Sequence, residues 1–235
     1  LVGLLELLMI WLYPVLIAPL FNKFEPIEDK ELERGITTLM EKVGLRPKGV
    51  LRMDASKRSK HTNAYFTGIG KSKRIVLFDT LMTSHTGEEI LAVLAHEIGH
   101  WKKKHVLKQL ILAETLSLVG FFILAQLLHW PLLYRTFGFA EPIPYVGLFL
   151  IGALFGPVGY FAQPVGSAIS RKFEREADDF ALDLMQNAEP ITKVFKRLAV
   201  DNLANLSPHP FYAWFYYSHP PLVERISRLK ILSPS

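Results

Sequence analysis

Three long apolar segments constrain the fold of this chain more than any other feature of its sequence. Residues 1–21 carry one charged residue, residues 106–130 carry two and residues 143–169 carry none. Each segment is long enough to cross the hydrocarbon core of a bilayer, which requires about 20 helical residues. Buried helices of a large soluble protein are the alternative, but core helices are usually shorter. We therefore predict three transmembrane helices.

The charges around these segments predict their orientation. The link between the second and third segments, residues 131–142, carries two charges, whereas three lysines at 102–104 precede the second segment and an Arg-Lys pair follows the third. Basic residues are enriched on the cytosolic side of membrane helices. We expect residues 22–105 and 170–235 to lie together in the cytosol, and residues 131–142 to form a short extracytosolic loop.

Composition limits the partners and the chemistry. The chain has no cysteine, which excludes disulfides, thiol nucleophiles and cysteine-ligated metals. The lysines at 102–104 are expected to meet anionic lipid headgroups of the bilayer, and no nucleic acid partner is predicted, because no stacking aromatic residues interleave them. The sequence opens on Leu1 inside an apolar run. We expect a fragment whose partners include further N-terminal transmembrane helices.

The hydrophilic parts show both helical and strand patterns. A capping box at residues 86–89 predicts the start of a helix that continues towards the second apolar segment. Glycines between the second and third predicted strands indicate a hairpin turn. The predicted helices are 27–43, 171–186 and 191–203, and the predicted strands are 49–53, 63–67 and 74–78.

The sequence His96-Glu97-Ile98-Gly99-His100 predicts a metal site on the capped helix. Histidines at i and i+4 project from one helix face, about one turn apart. Two imidazole nitrogens at this spacing suit one zinc ion, with bonds of about 2.0–2.1 Å. Glu97 is the expected general base that takes a proton from water.

The third ligand is expected in residues 173–179, because the third histidine of the extended motif is absent here. Glu174 and Asp178 share a helix face, whereas Glu176 points about 200° away from Glu174. A ligand carboxylate with a second carboxylate one turn on could also accept the N–H of a ligand histidine. A solvated acidic face that pairs with neighbouring arginines and lysines is the alternative.

Two further residues are candidates for chemistry near the C-terminus. His219, held by the two prolines that follow it, and Arg225 could stabilise a developing oxyanion. A capping histidine on a helix starting near Pro221 is the alternative. The aromatic cluster at 211–217 could line a substrate pocket or anchor the chain at the membrane interface. The other histidines are interpreted as non-ligands: His61, His85, His105, His129 and His209.

Taken together, these segments resemble the integral-membrane CAAX prenyl proteases of type I, within the family that includes bacterial heat-shock membrane metalloproteases. The resemblance rests on residues 56–66, 73–81, 96–101, 173–178 and 217–225. It implies an α+β membrane protein with a zincin-like catalytic domain, in which an HExxH helix and a small antiparallel sheet are fused to transmembrane helices. In that family a seven-span bundle encloses a chamber, and this chain would supply three of the spans.

The resemblance also implies a role for each matched residue. His96, His100 and Glu174 would bind zinc, Glu97 would activate water, and Asp178 would support the ligands. Asn63, Ala64 and Tyr65 would lie on an edge strand that receives the substrate, and His219 and Arg225 would stabilise the transition state or hold the substrate.

The implied function is zinc-dependent endoproteolysis at the cytosolic membrane face, removing the C-terminal tripeptide of prenylated CAAX proteins. The partners are then a peptide or protein substrate and the lipid bilayer. The expected location is the endoplasmic reticulum of a eukaryote or the inner membrane of a bacterium. Two alternatives stay open: a membrane quality-control metalloprotease, and an inactive zinc-binding membrane scaffold.

Overall fold

The computed structural model describes residues 8–9, 12, 17–57, 63–67, 72–201 and 203–233. Most of the predicted transmembrane helix at residues 1–21, and the predicted hairpin turn at 68–71, lie outside these residues. The chain divides into two compact units. The sheet unit comprises Leu1–Lys103, Glu174–Ser207 and Pro221–Ser235, and the apolar unit comprises Lys104–Phe173 and Pro208–Pro220.

The described elements of both units follow one another along the chain. They are α1 (Ala18–Phe21), β1 (Phe24–Pro26), α2 (Lys30–Lys42), β2 (Arg46–Met53), a 3-10 turn (Ala55–Lys57), β3 (Ala64–Thr67), β4 (Ser72–Phe78), α3 (Asp79–Ser84), α4 (Gly87–Lys102), α5 (His105–Leu128), α6 (Pro131–Thr136), α7 (Pro144–Met185), α8 (Ala188–Asp201), α9 (Pro210–Tyr216) and α10 (Leu222–Leu232).

The four-stranded sheet has the order β1-β2-β4-β3 and is mixed, so the prediction of an antiparallel sheet was wrong. The hairpin pairing of β3 with β4 is confirmed, but β4 also pairs with β2 in parallel. The reason lies in β4, where Ile75, Val76 and Leu77 are all buried. A strand buried on both faces takes a central position. The short strand β1 was not predicted, because three residues show no period.

Helix α4 lies in the core of the sheet unit and begins as its sequence indicates. The Thr86 hydroxyl accepts the N–H of Glu89, and the Glu89 carboxylate accepts the N–H of Thr86, which confirms the capping box. Ile90, Leu94 and Ile98 are buried on the face that joins the main hydrophobic cluster. The helix packs against α2, α8 and β3. It ends at Lys102, and Lys104 takes a left-handed conformation with φ of 56° before α5 begins.

The apolar unit contains α5 and the part of α7 up to Phe173, which match the second and third predicted membrane helices. Within the described residues, α5 and α7 are long and apolar enough to cross a membrane. In the most apolar 18-residue stretch of each helix, 0% of the residues are buried in α5 and 11% in α7. The prediction of separate helices at 143–169 and 171–186 was wrong, because α7 is one helix of 42 residues. Nothing between the two segments ends it, and prolines are tolerated in apolar helices.

Residues 131–142, predicted as a loop, contain α6. Tyr134 is fully buried within the apolar unit and donates its hydroxyl to the Leu128 carbonyl at 2.8 Å. Gly147 makes this packing possible, because a Cβ there would lie 2.1 Å from the Tyr134 hydroxyl oxygen. Tyr134 therefore packs, whereas Trp130 stays half exposed.

Candidate metal centre

Helix α4 presents two histidine rings to the same point. His96 and His100 lie one turn apart, with their Nε2 atoms 3.1 Å from each other. The rings meet edge to face, with centroids 4.7 Å apart. Two nitrogens that converge in this way can both coordinate one metal ion.

Helix α7 brings a carboxylate to the same point. Glu174 is 7% exposed, with Oε2 3.5 Å from His96 Nε2 and Oε1 3.3 Å from His100 Nε2. Within the described residues these three side chains form a group that could hold a metal ion. Glu176, two residues further along α7, is not part of this group.

The dimensions of this triangle fit zinc. Two ligands at about 2.0–2.1 Å from a tetrahedral zinc ion lie roughly 3.3–3.4 Å apart. The two Nε2 atoms are 3.1 Å apart, and Glu174 approaches His96 with Oε2 at 3.5 Å and His100 with its other oxygen, Oε1, at 3.3 Å. Two neutral imidazoles and one carboxylate are also a donor set that zinc prefers in catalytic sites.

Asp178 orients one of the two histidines. Its Oδ1 lies 2.9 Å from His96 Nδ1, one turn beyond Glu174 on α7. A carboxylate at Nδ1 fixes the proton on that nitrogen, so the lone pair of Nε2 is directed at the metal position. Asp178 is 1% exposed.

Arg225 of α10 pairs with both acidic residues. Its guanidinium makes two hydrogen bonds to Asp178, of 2.7 and 2.6 Å, and lies 3.4 Å from Glu174 Oε2. The same guanidinium lies over the ring of Phe195, 4.1 Å from its centroid. Arg225 is itself 7% exposed.

Glu97 follows His96 on α4 and is partly buried. Burial raises the pKa of its carboxyl above the ordinary value, although His96 and His100 act in the opposite direction. A carboxyl with a raised pKa, next to a metal position, is suited to accept and return a proton.

Two of the predicted substrate residues, Ala64 and Tyr65, lie on β3 at the edge of the described sheet, and Asn63 directly precedes this strand. Ala64 and Tyr65 pair with β4 on one side, and β3 packs against α4. Asn63 is exposed and its side-chain oxygen accepts the N–H of Ala64. His219 belongs to the apolar unit, where its Nδ1 lies 3.0 Å from Ser218 Oγ. The roles of these residues stay predictions.

Sequence reasoning missed two residues of this site. Gly99, between the two histidines, brings the backbone of α4 against α7, since a Cβ there would lie 3.0 Å from Ala177 Cα. An isolated glycine inside a helical pattern was the available signal, because it often marks close packing. Phe195, under Arg225, carried no signal beyond its apolar character.

Two histidines one turn apart, a glutamate beside the first, and a carboxylate from a second helix define the class of HExxH metallopeptidases. The chain belongs to peptidase family M48, whose family model matches residues 26–233. The predicted family resemblance is thus confirmed.

Curated relatives and a solved structure are similar to this chain in sequence. CAAX prenyl protease 1 of Saccharomyces cerevisiae is 38% identical, over 97% of this chain and 54% of the relative. The CAAX prenyl protease 1 homolog of Homo sapiens is 33% identical, over 97% of this chain and 56% of the relative. The crystal structure of S. mikatae Ste24p matches with a TM-score of 0.84 and 37% identity, over 97% of this chain and 56% of that chain. The chain therefore spans about half the length of these proteins.

Proposed function

We propose that this chain carries the catalytic centre of a membrane-bound zinc metalloendopeptidase, with a zincin-like arrangement of α4 and the sheet. The observation that carries the proposal is the triangle of side chains formed by His96, His100 and Glu174, whose possible ligand atoms lie within 4.8 Å of one another. Membership of a peptidase family supports the same reaction class.

The mechanism follows from the residues around this triangle. His96, His100 and Glu174 would hold the ion, which supplies Lewis-acid polarisation of the scissile carbonyl and a lowered pKa of water. Glu97 takes the proton from the attacking water and then returns it to the leaving amine. Burial raises the pKa of Glu97, which favours its return of a proton to the leaving amine.

The substrate is expected to bind as an additional strand. Within the described sheet β3 pairs with β4 alone, and it lies against the helix that carries the histidines. An extended peptide paired with the open side of β3 gains main-chain hydrogen bonds, which give affinity without demanding a particular side chain. Asn63, Ala64 and Tyr65 would then align the scissile bond.

The relatives' names support a finer proposal about the substrate. The yeast relative is named CAAX prenyl protease 1, and the human relative is named as its homolog. We propose that the chain, with the rest of its protein, removes the C-terminal tripeptide of prenylated CAAX proteins. Residues 22–105 and 170–235 would form the catalytic part at the cytosolic face, and residues 106–130 and 143–169 would cross the membrane. His219 would contact the substrate.

Cleavage of a farnesylated C-terminal peptide, compared with its unprenylated twin, tests this proposal. We expect release of the tripeptide from the farnesylated peptide by the zinc-loaded protein, and at least roughly a hundredfold slower release by the Glu97→Gln variant, the scale of a lost general base. Zinc content should be equal in both proteins, because the amide replaces the carboxylate without changing the ligands.

The alternatives give different results in the same assay. Equal cleavage of both peptides, or cleavage of unfolded proteins alone, would contradict the CAAX substrate and support a quality-control metalloprotease. Zinc binding with no cleavage of any peptide would support the inactive zinc-binding membrane scaffold.

A further inference from the structure

Arg225 is enclosed in a way that differs from an arginine facing a substrate. The Nε and Nη2 atoms both donate to Asp178, the first to Oδ2 and the second to Oδ1. Nη2 is also the atom nearest to Glu174 Oε2, at 3.4 Å. The fork of the guanidinium is thus directed at the two carboxylates of α7.

The flat face of the same guanidinium is covered. Phe195 of α8 is 4% exposed and lies under Cζ at 4.1 Å. A desolvated cation over an aromatic ring gains electrostatic attraction, and the ring restricts its orientation. Three helices, α7, α8 and α10, therefore fix the position of Arg225.

The contacts form a chain from α10 to the metal position. Arg225 holds Asp178, and Asp178 accepts the Nδ1–H of His96, whose Nε2 faces Glu174. Two buried carboxylates one turn apart repel each other unless a cation compensates them. Without Arg225, the fork that fixes both oxygens of Asp178 would be lost, and Asp178 would hold His96 less firmly.

We propose that Arg225 is a positioning residue that sets the zinc affinity of the site through Asp178 and Glu174, in place of a direct contact with the reacting carbonyl. This inference rests on the proposed function, because it assumes that the three predicted ligands bind zinc. It reassigns the role that the family resemblance implied for Arg225.

The chain offers a matched control on the same two helices. Arg228 of α10 binds Asp179 of α7 with the same two-pronged geometry, at 3.0 and 2.7 Å. These side chains are 40% and 37% exposed, and Asp179 is outside the group that could hold a metal. A variant of Arg228 therefore removes an equivalent link between the helices without touching the ligands.

The test measures Zn²⁺ affinity by chelator competition, with the full chain in detergent. Arg225→Lys keeps the charge but loses the fork, and Arg225→Met loses both. We expect zinc binding about 10–100-fold weaker in Arg225→Met, the scale found when an outer partner of a ligand is lost, and a smaller loss in Arg225→Lys. Arg228→Met should stay within about twofold of the parent, because an exposed pair contributes little.

A double-mutant cycle tests whether Arg225 affects zinc affinity through Asp178. If Arg225 acts through Asp178, then Arg225→Lys should change zinc affinity much less in an Asp178→Asn background than in the parent. The inference would be overturned if the effects of the two substitutions on zinc affinity were fully additive. It would also be overturned if Arg225→Lys kept the parental zinc affinity but cleaved more slowly, which would indicate a direct contact of Arg225 with the substrate. Absence of zinc binding in the parent chain would instead overturn the proposed function, and the inference with it.

Discussion

At the scale of single residues, the choice between two glutamates on α7 is the sharpest test of the site. Glu174 lies within 3.5 Å of both histidines, and Glu176 points to another face of the helix. We expect Glu174→Ala to lose zinc and cleavage and Glu176→Ala to keep both. Zinc content by mass spectrometry, with peptide turnover on the same samples, measures this. A zinc-deficient Glu176→Ala protein would refute the ligand set.

Residue spacing was sufficient to predict which side chains of one helix share a face, but not which side chains of different helices meet. The i, i+4 rule placed His96 with His100 and Glu174 with Asp178, because helix geometry alone fixes those pairs. The role of Arg225 depends on a contact with a residue 47 positions earlier. Helical periodicity carries no information about such a contact.

At the scale of elements, the crossing of α4 and α7 depends on Gly99. A Cβ at this position would lie 3.0 Å from both the Cα and the carbonyl oxygen of Ala177, and backbone atoms yield little. We expect Gly99→Ala to destabilise the protein by about 1–3 kcal/mol, the usual cost of overpacking, and to weaken zinc binding because the ligand helices separate. Thermal unfolding and zinc affinity check both effects.

Gly87→Ala is the control for that experiment. It adds the same methyl group to the same helix, where the nearest atom outside the helix is 4.0 Å away. We expect parental zinc affinity in this variant. Equal losses in the two variants would mean that the methyl group acts on α4 itself rather than on its contact with α7.

The N-terminus of α4 gives a pH-dependent prediction. Burial acts to raise the pKa of Glu89, but the N–H of Thr86 and the guanidinium of Arg197 outweigh it, so the pKa is lowered. The stabilisation by ionised Glu89 is therefore present above the unfolded pKa and is lost as the pH falls through the folded pKa.

Glu89→Gln should cost about 1 kcal/mol near pH 7, the scale of a capping interaction. The difference in unfolding free energy between the parent and this variant should shrink as the pH is lowered from about 5 to about 3. Denaturant unfolding across this range measures it. A difference that grows in acid would contradict the lowered pKa.

Elements with a strong local signal were predicted, and those set by long-range pairing were not. The capping box and the hairpin of β3 with β4 depend on neighbouring residues and are confirmed. The parallel pairing of β2 with β4 was missed, because strand patterns show which residues are buried but not which strands become neighbours.

At the scale of the whole molecule, the exposed surface of α5 predicts a membrane environment. Leu118, near the middle of this helix, is 70% exposed. We expect Leu118→Arg to cost about 3–4 kcal/mol of apparent insertion free energy, because a favourable leucine is replaced by an unfavourable arginine, whereas Leu118→Ala should insert normally. A glycosylation-reporter insertion assay measures both. Normal insertion of the arginine variant would show that α5 does not face lipid.

Length and hydropathy were sufficient to predict the two apolar helices that the structure describes. The continuity of α7 was missed because composition changes sharply after residue 169, from apolar to charged. A helix is propagated by its backbone hydrogen bonds, however, and a change in side-chain polarity alone does not interrupt it.

The order along the chain of the ligands and of the residues that support them has a consequence for biosynthesis. Asp178 lies 82 residues after His96, and Arg225 lies another 47 residues later. At a synthesis rate of about 5–20 residues per second, the histidines leave the ribosome several seconds before the acidic residues that complete the site. The nascent chain therefore cannot form the complete metal centre until α7 and α10 have been made, and the proposed activity is not expected before that stage.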